Sequence, residues 1–125
     1  MHFELISFFF SLSNTVKLYH WSTNLYSRHK SSDDLFNTIT DLTDKFMEIY
    51  QGKYGKISKS IINEIDIKSK LISDDNFVMY LRNVSQFLED IVKNKLLSSK
   101  DSDLLNIRDE LLGEINKTIY LLTFN

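Results

Sequence analysis

Apolar residues recur at intervals of three and four along most of the chain, and four segments carry that rhythm for long enough to predict helices. The first runs from about Phe3 to Trp21. Its Leu5, Ile6, Phe9, Phe10, Leu12, Val16, Leu18 and Tyr19 cover more than one face, the pattern of a helix buried on two sides. Ser22, Thr23 and Asn24 then break the rhythm, and each can cap a following helix. The second predicted helix runs from about Leu25 to Tyr50 and stops at Gly52 or Gly55, both suited to a left-handed C-cap. From Lys53 to Ser73 the pattern weakens, leaving room for a short helix around Ser58 to Ile67 inside a crossover. Ser73, Asp74 and Asp75 read as the cap of a third helix carrying Phe77, Met79, Tyr80, Leu81, Val84, Phe87, Leu88, Ile91 and Val92. Ser98 to Ser102 separates it from a fourth, from about Leu104 to Leu122. The expectation is a single all-α domain over residues 1–125.

Composition agrees. Proline is absent and only Gly52, Gly55 and Gly113 are glycines, too few turn formers for a sheet protein of this length. Two short turns flanking one long crossover, between the second and third helices, is the connectivity of a ferritin-like four-helix bundle. The lack of cysteine excludes disulfides, thiolate zinc sites and cysteine nucleophiles, and fits a reducing intracellular setting. The opening Met-His-Phe-Glu has no basic n-region, and the longest apolar stretch, Leu5 to Leu12, is too short for a membrane span. A cytoplasmic protein with no membrane partner is therefore expected. The net charge is −2 with lysine and arginine scattered, so DNA is not an expected partner. Lys93, Lys95 and Lys100 come nearest to a basic cluster and read as a solvated helix end.

The segment from His20 to Glu48 holds two of the three histidines and a run of acids: His20, His29, Asp33, Asp34, Asp41, Asp44 and Glu48. On a helical wheel of about 100° per residue, with His29 at zero, Asp33 falls near about 40°, Asp44 near about 60° and Glu48 near about 100°. The apolar Leu35, Ile39, Leu42, Phe46, Ile49 and Tyr50 gather on another side, which must face the core. The histidine and carboxylate stripe thus lies beside the core face. His29 with Asp33, and Asp44 with Glu48, are each one turn apart and can each share a metal. The two pairs are separated by about 16 Å along the helix, so one chain cannot bring them together. Two chains packed antiparallel about a twofold axis can, and would form two equivalent sites. Neutral imidazole plus carboxylate suits iron, manganese or zinc. No Glu-x-x-His motif is present, which argues against a di-iron site inside the bundle. Asp34 and Asp41 read as surface residues, His2 as uninvolved, and the run Phe8-Phe9-Phe10 as core or interface.

His20-Trp21, followed by His29, Asp33, Asp44 and Glu48, resembles the ferroxidase signature of the Dps family of mini-ferritins. The spacings from His29 to Glu48 match that pattern throughout, and the stretch from Asp101 to Phe124 is similar to the family's last helix. The resemblance implies that His20, His29 and Asp33 of one subunit and Asp44 and Glu48 of its twofold mate hold ferrous iron. Peroxide or dioxygen would oxidise it to the ferric form, for iron storage or peroxide detoxification. It also implies a homo-oligomer, as a dimer or a larger shell. The segment between His20 and His29 is shorter than the family's, and no lysine-rich tail precedes the first helix. Lys17 to Trp21 and Tyr50 to Lys56 further resemble strings in short ferritin-like proteins of large DNA viruses. The rival expectation is a non-catalytic helical structural or interaction protein on the same scaffold. A zinc hydrolase has no His-Glu-x-x-His motif to rest on.

Overall fold

The computed structural model describes residues 3–124, and all regular structure among them is helical. Helix α1 spans Phe3–Ser22, α2 Tyr26–Tyr54, α3 Phe77–Glu89 and α4 Ser102–Leu121, with one 3-10 turn at Lys59–Asn63. No helix among them is long and apolar enough to cross a membrane.

Each helix buries the stripe that its spacing marks out. In α1 this is Leu5, Phe9, Leu12, Val16 and Tyr19; in α2, Leu35, Ile39, Phe46 and Tyr50; in α4, Leu104, Ile107, Leu111 and Ile115. Helix α1 packs on α2, α2 on α4 and α4 on α3. The α1–α2 contact includes an edge-to-face pair, Phe9 with Phe46, at 5.1 Å between ring centroids. Helix α3 reaches α1 mainly through stacked rings: Tyr19 on Phe77 at 3.6 Å and Phe8 on Phe87 at 4.0 Å. None of α2, α3 or α4 has a side-chain hydrogen bond at its N-cap. A missing cap costs about 1 kcal/mol, whereas each buried Leu, Ile or Phe contributes about 2 kcal/mol. Tertiary burial therefore sets these helices, and their ends depart from the cap signals.

Helix α2 continues through Gly52 to Tyr54 and ends at Gly55, one of its two expected stops, whose φ of 101° is open to glycine and strained for other residues. Both boundaries of α3 differ from expectation. Asp74 does not cap α3. Its carboxylate instead accepts hydrogen bonds from the Tyr19 and Thr23 hydroxyls, and Asn76 occupies the N-cap. Helix α3 ends at Glu89, short of Ile91 and Val92, so residues 90–101 form a longer turn region than the short link expected. Ile91 and Leu97 within that region are still buried.

At the far end of the molecule, Asp101 is 3% exposed and gathers three donors: Lys53 Nζ at 2.6 Å, the Tyr54 hydroxyl at 2.5 Å and the Ser98 N–H at 2.8 Å. Burial alone would raise its pKa, but these bonds win and hold the carboxyl below its ordinary value. The cluster joins the end of α2 to the start of α4.

The crossover from α2 to α3 is mostly an extended strap laid along α1. Ser7 Oγ accepts from the Asp66 N–H (2.9 Å), Ser11 Oγ from Lys68 N–H (2.9 Å) and Thr15 Oγ1 from Lys70 N–H (3.2 Å). Four helical residues rise about 6.0 Å and two extended residues about 6.6 Å, so the two ladders stay in register for three rungs. The second covered side of α1 is thus a hydroxyl row under the strap.

Candidate metal centre

His20 lies in the last turn of α1 and is 8% exposed. Residues 23–25 turn the chain so that the first turns of α2 rise beside it. Arg28 fixes this corner, donating Nη1 to the Tyr19 hydroxyl (3.0 Å) and to the Asp74 carbonyl (2.7 Å), and Nη2 to the Leu122 carbonyl (3.2 Å). Asp74 accepts from Thr23 at 2.5 Å and Tyr19 at 2.7 Å. These bonds, the Thr23 one foremost, hold its carboxyl below the ordinary value against the opposing effect of burial. Burial chiefly raises the Tyr19 hydroxyl.

On that corner His20 and His29 form a reciprocal pair. His20 Nδ1 lies 2.6 Å from the His29 carbonyl, and His29 Nδ1 lies 2.7 Å from the His20 carbonyl. A carbonyl only accepts, so both Nδ1 atoms carry a proton, and in the neutral ring Nε2 keeps its lone pair. The rings stack at 3.9 Å between centroids, 19° from parallel. Asp33, one turn beyond His29, places Oδ1 3.8 Å from His20 Nε2. That is too long for a hydrogen bond. Lys17 Nζ lies 3.4 Å from the same carboxylate oxygen, 4.5 Å from the Phe36 ring centroid and 5.8 Å from that of Trp21.

The structure therefore sets His20 against His29 and within 3.8 Å of Asp33, and keeps Asp44 and Glu48 apart from them, exposed farther along α2. Among the described residues no three His, Asp or Glu side chains converge as a group that could hold a metal ion. Asp34 and Asp41 are exposed. Trp21, at 68% exposed, and Tyr26, at 77%, flank the histidine pair as uncovered aromatic surface. Phe9 is core, Phe8 is half-buried and Phe10 is 46% exposed. Lys93, Lys95 and Lys100 are exposed. His2 lies outside the described residues.

Lys17 was not among the expected site residues. It stands three residues before His20, hence on the same helix face, and that spacing is the signal by which the sequence could have given it. The reciprocal carbonyl bonds have no such signal, because they depend on how the corner folds.

Residues 20–122 match the model of a family of unknown function, DUF5856, and the match contains all five residues of the candidate set. The "uncharacterized 14.6 kDa protein in mobD-ri intergenic region" of Enterobacteria phage T4 is 28% identical over 104 residues, covering 83% of this chain and 73% of that protein. No solved structure matches.

Proposed function

The chain belongs to the DUF5856 family of unknown function, and we propose that it is a ferritin-like, Dps-type mini-ferritin that binds and oxidises ferrous iron between two copies of itself. In this reading His20, His29 and Asp33 of one copy meet Asp44 and Glu48 of the other.

The observation that carries the proposal is the locked histidine pair. Histidines that ligate metals usually donate their other ring N–H to a carbonyl or carboxylate, which fixes the tautomer and the ring direction. Both rings here do so, at 2.6 and 2.7 Å. The two rings stack with centroids 3.9 Å apart and 19° from parallel, so the two Nε2 atoms belong to one small patch of surface. His20 Nε2 and the Asp33 carboxylate also lie 3.8 Å apart, too far for a direct hydrogen bond, a gap that a shared cation would bridge.

Each ferrous ion would give up one electron. Two electrons and two protons convert one peroxide, by cleavage of its O–O bond, into two hydroxides and then water. The side chains bind and orient; the electrons come from the iron, which is substrate. Among the described residues no three ligands converge; in this reading a partner's exposed Asp44 and Glu48 complete the centre.

Anaerobic ferrous titration followed by peroxide tests this reading. Saturable binding and fast ferric absorbance are expected, with both lost in Asp44→Asn/Glu48→Gln while helicity is kept. Equal oxidation by that variant overturns the ligand set.

A second reading, a non-catalytic helical interaction protein, takes its support from the same finding, that no ligand group stands ready for a metal among the described residues. It predicts a melting temperature that ignores added metal, whereas a metal that binds only the folded dimer must raise it.

A further inference from the structure

The strap runs along a seam between α1 and α3. The stacked Phe8 and Phe87 rings join the two helices there, beside an open groove of about 290 Å³. Phe8, Leu12, Val84 and Phe87 give it apolar surface, with Ser11, Tyr80 and Asn83 among them. Lys68 and Lys70 of the strap border it, and no acidic residue lines it. We propose that this seam binds a small amphipathic anion, an alkyl or aryl carboxylate, whose apolar body lies on the phenylalanine surface and whose head group meets Lys68 and Lys70.

The strap's hydrogen bonds supply the positioning. The two lysines among the lining residues are those whose own amides are pinned to α1, Lys68 by Ser11 and Lys70 by Thr15. Alternate residues of an extended chain leave it on the same side, so the pinning keeps both exposed lysines within a side chain's reach of the seam. Only Lys68 has an ion-pair partner, Asp66 at 3.5 Å. Both members of that pair are more than two-thirds exposed, and such a pair is worth little. Lys70 makes no ion pair among the described residues. A carboxylate entering here gains two charge-assisted contacts without breaking a buried one, and its chain covers ring surface that water now covers.

The site is independent of the histidine pair, and its test does not need metal. Decanoate and the neutral decanol would be titrated into the intact protein by calorimetry, alongside Lys68→Gln/Lys70→Gln, whose exposed side chains leave the fold in place. Expected is saturable decanoate binding that weakens roughly tenfold or more in the double variant, as loss of charge-assisted contacts requires, while decanol binding stays the same in both proteins. Absence of saturable decanoate binding overturns the proposal. So does equal decanoate affinity in the two proteins, or decanoate affinity that appears only as a self-associated form dissociates on dilution, which would assign the seam to a second copy.

Discussion

His20 and His29 each donate Nδ1–H to the other's backbone carbonyl while their rings stack 3.9 Å apart. The relationship spans the α1–α2 corner, so the same two side chains that offer Nε2 lone pairs also hold two helices in register. In the proposed reading function and local stability are coupled at this point, and any variant of either ring is read in both.

His29→Ala removes one ring and one of the two reciprocal bonds. A loss of about 1–2 kcal/mol in unfolding free energy is expected from the bond and the stacking together. Thermal unfolding with and without excess ferrous or zinc ion separates the two effects. The parent protein should melt higher with metal, and the variant should melt lower and show no metal response.

Asp74 closes the same corner from behind, and its depressed pKa gives a pH dependence of known sign. A carboxyl whose folded pKa lies below its unfolded value stabilises above the unfolded value, about 3.9, and that contribution fades as pH falls through the folded one. Asp101, also depressed, acts in the same direction. Urea unfolding followed from pH 6 to pH 2 should show stability falling below about pH 4. Asp74→Asn should be less stable at pH 6 and flatter through the acid limb.

Asp101→Ala removes the buried acceptor of the Ser98 N–H, while the exposed Lys53 ammonium keeps Asp103 at 3.0 Å. Leaving a buried donor unsatisfied costs about 1–3 kcal/mol, so this loop residue should be clearly more sensitive than an ordinary surface position. The urea midpoint of the variant against the parent checks it, and a change under about 0.5 kcal/mol, the range of ordinary surface substitutions, contradicts it.

The four helices were legible because their buried stripes follow the helical period without interruption, as Leu104, Ile107, Leu111 and Ile115 do in α4. Their ends were less so. Asp74 and Thr23 look like caps in sequence, yet Asp74 accepts from Thr23 and Tyr19 and serves the corner, a choice made by residues more than fifty positions apart. The stripe of His29, Asp33, Asp44 and Glu48 beside the core face was also legible, and Asp44 and Glu48 are exposed as that wheel requires. What the wheel could not give is a corner geometry: the facing of His20 on His29, and the Lys17 contact with Asp33, arise only when α1 and α2 are folded against each other.

Nor could it give the strap. The row Ser7, Ser11 and Thr15 is a polar stripe on a helix otherwise marked as buried, and its partners are backbone amides with no sequence signature. Ser11→Ala and Thr15→Val should each cost about 1 kcal/mol and free a strap amide. Hydrogen exchange at Lys68 and Lys70 reads this directly. Faster exchange confined to residues near 66–70 is expected, and unchanged exchange there contradicts the ladder.

The central claim is that two chains share one iron centre, and mixing tests it most directly. His29→Ala chains lack the histidine half, and Asp44→Asn/Glu48→Gln chains lack the carboxylate half, so each alone should oxidise no ferrous iron. In a twofold dimer of one chain of each kind, one site has lost both halves and the other is intact. Unfolding the two variants together, refolding them at equal amounts and assaying ferrous oxidation should therefore recover activity. Random pairing makes about half the dimers mixed, each with one working site of two, so about a quarter of the parent rate is predicted. A mixture as inactive as its components, from chains shown by size to have exchanged partners, would contradict a centre built between two copies.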